Sequence, residues 1–188
     1  MYKHSLKIIL LICMILSACC PNYFINEMGA KRIDINRFSI DLNQDTISTI
    51  DTNAIYKKYS YFTLKKRNNI KKGFRYYELA NIDNSYPEVY YKFYKGGKLS
   101  VFYIYHGASL ERELFNPKLG GMGVYGYKNK VLMLETFIYL NGSISILPNR
   151  LIVRGDTIFE VEDYGYGGQQ FIKQKVPKEW LENWKPDW

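Results

Sequence analysis

The chain has 188 residues, 47% of them hydrophobic, and a net charge of +8, which is typical of one globular domain with a single core. Its three cysteines all lie within the first twenty residues, so the rest of the chain cannot form a disulfide framework or a zinc site built on cysteine. The positive charge favours anionic lipid headgroups or envelope polymers. No RNP-like or helix-turn-helix pattern is present, and we predict no nucleic-acid binding.

The first predicted element is a leader peptide. Lys3 and Lys7 give it a basic start, residues 8–16 are apolar, and Ser17 and Ala18 are small. The apolar run is too short to span a bilayer, which takes about 20 residues. This layout predicts export of the chain.

The leader ends in Leu16-Ser17-Ala18-Cys19, and in this order of charge, apolar run and small residues it resembles the lipobox of bacterial lipoprotein signal peptides. The resemblance implies that residues 1–18 are removed and that Cys19 receives diacylglycerol and an acyl chain. Two or more chains anchor a protein stably, since each buried methylene contributes about 0.8 kcal/mol. Cys20 stands where an aspartate would favour inner-membrane retention in this family, so the resemblance favours the outer membrane. A simple secretory signal or an uncleaved anchor is the alternative.

Beyond the leader we predict a tether and one domain. Residues 19–33, which include the lipidated cysteine, show no sustained periodicity and are predicted as a tether. The domain is predicted over residues 34–188. Within it, residues 47–62 fit either a short helix capped by Asp51 or a pair of strands.

From residue 74 onward the pattern is one of short strands joined by tight turns. Paired glycines at Gly96 and Gly97 are typical of a hairpin, and such brief links indicate an antiparallel meander rather than βαβ units. We therefore predict a mainly β fold, a barrel or strongly curled sheet, with a two-sheet sandwich as the alternative. A short C-terminal helix is predicted over 177–184. The predicted strands span 74–79, 88–94, 99–106, 124–127, 131–140, 144–147, 151–153, 157–161 and 170–175.

The later hairpins also resemble a known group of proteins. Gly123-Val124-Tyr125-Gly126-Tyr127, the strand that follows, and Gly155-Asp156-Thr157-Ile158 are similar to segments of small lipocalin-like bacterial lipoproteins. The resemblance implies an architecture and no activity.

The sequence favours binding over catalysis. Gly121, Gly123 and Gly126 match the spacing of a dinucleotide-binding loop, but a strand follows them where that motif needs a helix. His106 has no evident catalytic partner. Glu160 and Glu162 are predicted to lie on the solvent side of an amphipathic strand. We therefore predict no enzyme activity, no cofactor and no metal site.

Aromatic residues are the stronger lead, with 18 tyrosines and 10 phenylalanines in the chain. The central hairpin has aromatic residues on both faces, which is expected of a barrel wall covered on the outside or of a surface kept for a partner. The first hypothesis is a module that binds a glycan, an amphipathic ligand or a protein through Tyr90, Tyr91, Tyr94, Tyr103 and Tyr105. The second is an assembly component of an envelope complex that acts through Trp180, Trp184 and Trp188.

Overall fold

The computed structural model describes residues 22–42, 47–64, 74–78, 87–162 and 165–188, with the backbone alone for 74–78. The predicted leader peptide and Cys19 lie outside these residues. The strands are β1 (Phe24–Ile25), β2 (Lys31–Arg32), β3 (Ile55–Leu64), β4 (Phe74–Glu78), β5 (Glu88–Phe93), β6 (Lys98–Ile104), β7 (Gly121–Lys128), β8 (Val131–Leu140), β9 (Ser143–Arg154), β10 (Thr157–Glu162) and β11 (Gly167–Gln174).

Eight of these strands form a closed antiparallel barrel. The order is β3-β5-β6-β7-β8-β9-β10-β11, and β11 pairs back onto β3 along nearly its whole length. On its other edge, β3 pairs with β5 over Ile55–Lys57 and with β4 over Ser60–Leu64. β1 and β2 form a separate two-stranded sheet. The predicted mainly β fold is confirmed, and the barrel is correct rather than the sandwich.

Turn residues with positive φ close the hairpins at the predicted places. Gly96 and Gly97 have φ of 80° and 76°, and an added Cβ at Gly97 would lie 2.8 Å from the carbonyl oxygen of Tyr125. Asn141 and Gly142 join β8 to β9 with φ of 49° and 82°. These left-handed conformations are the ones that tight hairpins need and that glycine and asparagine tolerate best.

The predicted separation of strands 144–147 and 151–153 is wrong, because β9 runs through Pro148 as one strand. Pro148 pairs with Glu135 of β8, but the ladder between β9 and β10 ends at Asn149. Pro148 thus lies one residue beyond the last pair of β9 with β10 among the described residues. Proline is tolerated in a strand where its missing N–H is not needed for a ladder hydrogen bond.

The barrel is sealed at one end by residues 47–54. Ile47, Ile50 and Ala54 are buried and pack beneath the interior cluster. The amide N–H of Asp51 donates to the hydroxyl of Tyr56 at 3.1 Å. We call this the closed end, and the opposite end, where the β8–β9 turn lies, the open end. Neither a helix nor a full strand pair forms at 47–54, although β3 begins directly after it at Ile55.

The chain segments before and after the barrel pack on its outer wall. Ile33, Phe38 and Ile40 join a buried cluster with β7 and β8, and Tyr23 packs against it. The packed structure therefore includes Tyr23 and Ile33, which were predicted to lie in the tether. The predicted C-terminal helix is reduced to a 3-10 turn at Lys178–Trp180. Among the described residues, no helix combines the length and apolar character that crossing a bilayer requires.

Candidate ligand-binding site

Aromatic rings fill the half of the barrel nearest its closed end. Tyr91 stacks on Phe171 with ring centroids 4.0 Å apart, and Phe93 meets Tyr125 edge to face at 4.9 Å. The Tyr125 hydroxyl donates to the carbonyl oxygen of Tyr94 at 2.8 Å. An eight-stranded barrel has room for its own side chains or for one small ligand. Because the closed end is occupied, any ligand space lies toward the open end.

Glu160 is a polar residue inside the barrel, on the open-end side of these rings. It is only 2% exposed, and its carboxylate accepts a hydrogen bond from the Tyr91 hydroxyl at 2.8 Å. Nδ2 of Asn149 donates to its other oxygen at 2.5 Å. Burial raises the pKa of Glu160, and burial together with the carboxylate raises the pKa of Tyr91 well above 10. The barrel thus holds a buried carboxyl whose ionised form is disfavoured.

The expectation that Glu160 faces solvent is wrong. The alternation along β10 is as predicted, but the outward residues are Phe159 and Val161, which pack with Phe62 and Leu64 on the outer wall. Ile158 and Glu160 therefore point into the barrel. An apolar face is a reliable sign of the interior only when the other face is wet, and here both faces are covered.

Exposed apolar and aromatic side chains surround the open end. Tyr103 shares the inward face of β6 with Leu99 and Val101 and is 62% exposed. Tyr103 pairs with Val89, two residues along β5 from Tyr91. Partial burial and the Glu160 carboxylate raise the pKa of the Tyr103 hydroxyl. Tyr105, directly after β6, is 78% exposed.

The β8–β9 hairpin extends this rim. Its tip continues past the last residues that pair with β7 and β10, which are Thr136 and Asn149. Leu140 and Leu147 lie on the inward face of the extension and are 65% and 42% exposed. We call Tyr103, Tyr105, Leu140 and Leu147 the rim.

The structure divides the five predicted ligand-binding tyrosines. Tyr91 and Tyr103 face the interior and Tyr105 lies at the rim, whereas Tyr90 and Tyr94 face outward. The Tyr90 ring packs against Phe115, with centroids 5.9 Å apart. Sequence reasoning missed Glu160 and Asn149 as members of this cluster, because the alternation along a strand does not show which of its faces is inside the barrel.

The three tryptophans lie against their own barrel or against segments that cover it. Trp180 stacks near Phe115, with ring centroids 6.3 Å apart. The guanidinium of Arg112 lies 4.7 Å from the Trp184 ring, and that of Arg32 lies 4.6 Å from the Trp188 ring. Packing accounts for these side chains in the isolated chain.

The remaining sequence candidates do not contact Glu160, and they lie in β7 and on the outer wall. Gly121, Gly123 and Gly126 belong to β7, where Gly123 lets the neighbouring strands approach closely. His106 is half exposed, with Nδ1 3.5 Å from the Glu88 carboxylate on the outer wall. No three histidine, cysteine, aspartate or glutamate side chains come together as a metal site within the described part of the chain.

Fold and site define a closed antiparallel barrel of eight strands with one filled end and one end lined by a buried carboxyl and exposed aromatic groups. Comparisons with protein families, curated proteins and solved structures found no match to this chain.

Proposed function

We propose that this chain is a lipid-anchored protein of the bacterial envelope whose barrel binds a small amphipathic ligand at its open end. In this proposal the rim contacts the apolar part of the ligand, and Glu160 receives a hydrogen-bond donor or a cationic group. Pockets of this kind are mainly apolar with a few placed polar groups.

The observation that supports the proposal most directly is the place of Glu160. A buried carboxylate lowers the stability of the folded protein unless its hydrogen-bond partners compensate. An apolar side chain at position 160 would fill the barrel interior with a smaller loss of stability. Tyr91 and Asn149 hold the carboxylate in one position. The exposed ring of Tyr103 lies on the same interior face as Tyr91, one inward-facing pair further along the β5–β6 ladder, where a ligand would bury it.

A fluorescence titration tests this function. N-phenyl-1-naphthylamine, whose emission rises in apolar surroundings, is added to the delipidated protein and then displaced by dodecylamine, dodecanol or dodecanoate below their micelle concentrations. We expect saturable binding of the probe and displacement by at least one of the three. The order of displacement identifies the head group that the site accepts.

Two matched variants locate the binding. Tyr103→Ser should weaken probe binding about tenfold or more, because loss of one buried ring costs about 1.5 kcal/mol or more. Phe24→Ser removes a comparably exposed ring from the β1–β2 sheet and should leave binding unchanged. Equal binding by both variants, or no saturable binding by the parent protein, contradicts the proposed function.

The anchor is tested separately. Mass spectrometry of the mature N-terminus should find Cys19 with a diacylglycerol group and an acyl chain. Cys19→Ala should release the protein from the membrane fraction. An unmodified N-terminus at another residue would remove the anchor from the proposal and leave the barrel's ligand site to stand on its own.

A further inference from the structure

A second pocket lies on the outer wall near the closed end, away from the barrel interior. It has a volume of about 210 Å³. It lies between the segment before β3, the end of β5 and the C-terminal 3-10 turn. Its lining consists of Thr52, Asn53, Lys92, Tyr94, Lys95, Lys178, Leu181 and Glu182.

Lys92 is the unusual member of this lining. The residue is 4% exposed, and its ammonium group donates to the carbonyl oxygen of Thr52 and lies 5.4 Å from the ring centroid of Tyr94. An ammonium group has three protons to donate. Lys92 forms no ion pair with any residue that the structure describes. Burial lowers its pKa to about 8.

The neighbouring acids are engaged with other lysines. The Asp51 carboxylate lies 2.8 Å from Nζ of Lys173, and the Glu182 carboxylate lies 3.1 Å from Nζ of Lys178. Lys95 lies beside the pocket in the β5–β6 turn. The pocket therefore has more positive than negative charge. Its most buried charge, Lys92, is attracted to Asp51 but forms no ion pair among the described residues.

We propose that this pocket binds a small oxyanion, a phosphate or a carboxylate group, with Lys92 as its principal partner. Burial that disfavours an unpaired ammonium also strengthens its attraction to an anion, because few water molecules compete there. Lys95 and Lys178 add charge at the entrance, and Tyr94 forms an apolar wall. The site is independent of the barrel's open end and does not rest on the function proposed above.

Calorimetric titration of the full domain with sodium phosphate, sodium acetate and sodium chloride at equal ionic strength tests the proposal. We expect saturable binding of phosphate or acetate and no comparable binding of chloride. Lys92→Met should weaken binding about tenfold or more, since it removes a charge-assisted hydrogen bond. Lys130→Met, which removes an exposed lysine from the β7–β8 turn, should have no effect.

A second measurement remains informative if Lys92→Met does not fold. NMR of the parent protein follows the Lys92 side-chain amine during a pH titration, and a bound oxyanion should raise its pKa from about 8. Vesicles of phosphatidylcholine with and without phosphatidylglycerol then distinguish a lipid headgroup from a free anion. An unchanged Lys92 titration at saturating phosphate and acetate, or equal binding by the folded Lys92→Met variant, overturns the proposal.

Discussion

At the scale of single residues, two charged side chains are buried for opposite reasons. Glu160 lies inside the barrel with two hydrogen-bond donors but with a raised pKa, so its ionised form destabilises the fold. Arg32 is fully buried outside the barrel, and its guanidinium is satisfied by several acceptors. Glu160 therefore lowers the stability of the folded protein, whereas Arg32 stabilises it by holding several chain segments together.

Glu160→Gln should stabilise the protein near neutral pH. Because the folded state disfavours the carboxylate, it retains the proton above the ordinary pKa of 4.5, where the unfolded chain has lost it. The contribution of Glu160 to the free energy of unfolding therefore falls as the pH rises from 4.5 through the raised pKa. Thermal unfolding at pH 4 and pH 8 should show a gain of a few degrees for the variant at pH 8 and little gain at pH 4. A gain that is larger at pH 4 would contradict this account.

Arg32→Lys should destabilise the protein by about 2–4 kcal/mol, because lysine cannot reproduce the planar set of donors and would leave buried carbonyl oxygens unpaired. Urea unfolding measures the loss. Arg37→Lys is the matched control, since Arg37 donates to a carbonyl oxygen at the surface, and it should change stability by less than about 0.5 kcal/mol. Similar values for both variants would contradict the role of Arg32. The acceptors of Arg32 are the carboxylate of Asp187 and the carbonyl oxygens of Lys31, Pro117, Lys118 and Gly120.

At the scale of elements, the tight turns differ in how well their residues suit them. The β7–β8 turn has Asn129 and Lys130 at φ of 52° and 64°, whereas the β8–β9 turn has the more favourable pair Asn141 and Gly142. A side chain with a Cβ is strained in this region, and lysine lacks the short polar group with which asparagine compensates.

Lys130→Gly should therefore stabilise the β7–β8 hairpin by up to about 1 kcal/mol, because it makes the asparagine-glycine pair that such turns prefer. Lys95→Gly is the control, since Lys95 also lies in a hairpin turn but has a negative φ. Lys95→Gly should lower the free energy of unfolding, because glycine gives the unfolded chain more conformational entropy. Midpoints of urea unfolding compare the two. A loss of stability in Lys130→Gly would contradict the strain at this turn.

At the scale of the whole molecule, local patterns predicted the strands but not what lies on each side of them. Alternation of side chains and turn residues was sufficient for β5 to β8 and for the barrel. It could not show that residues 22–40 and the C-terminus cover the outer wall, because those contacts join segments distant in sequence. The same gap explains the error at Glu160, and it explains why the sequence could not show which of the five tyrosines face inward. Which face of a strand points into the barrel cannot be predicted locally when segments distant in sequence also pack on its outer face.

The C-terminal tail packs on the outer wall of the barrel, so we expect it to stabilise the fold. The sequence alone suggests a tail that is available for a partner. In the structure, Leu181 is buried with Phe115 beside β5 and β6, and Trp188 packs at the β7–β9 cluster. Each well-buried apolar side chain contributes about 1.5–3 kcal/mol. Deletion of residues 177–188 should therefore lower the free energy of unfolding by several kcal/mol, as measured by urea unfolding. Lys185→Ala changes an exposed residue of the same tail and should have little effect. An unchanged unfolding midpoint after the deletion would show that the barrel is stable without its cover, and would leave the tail free to act as a docking segment.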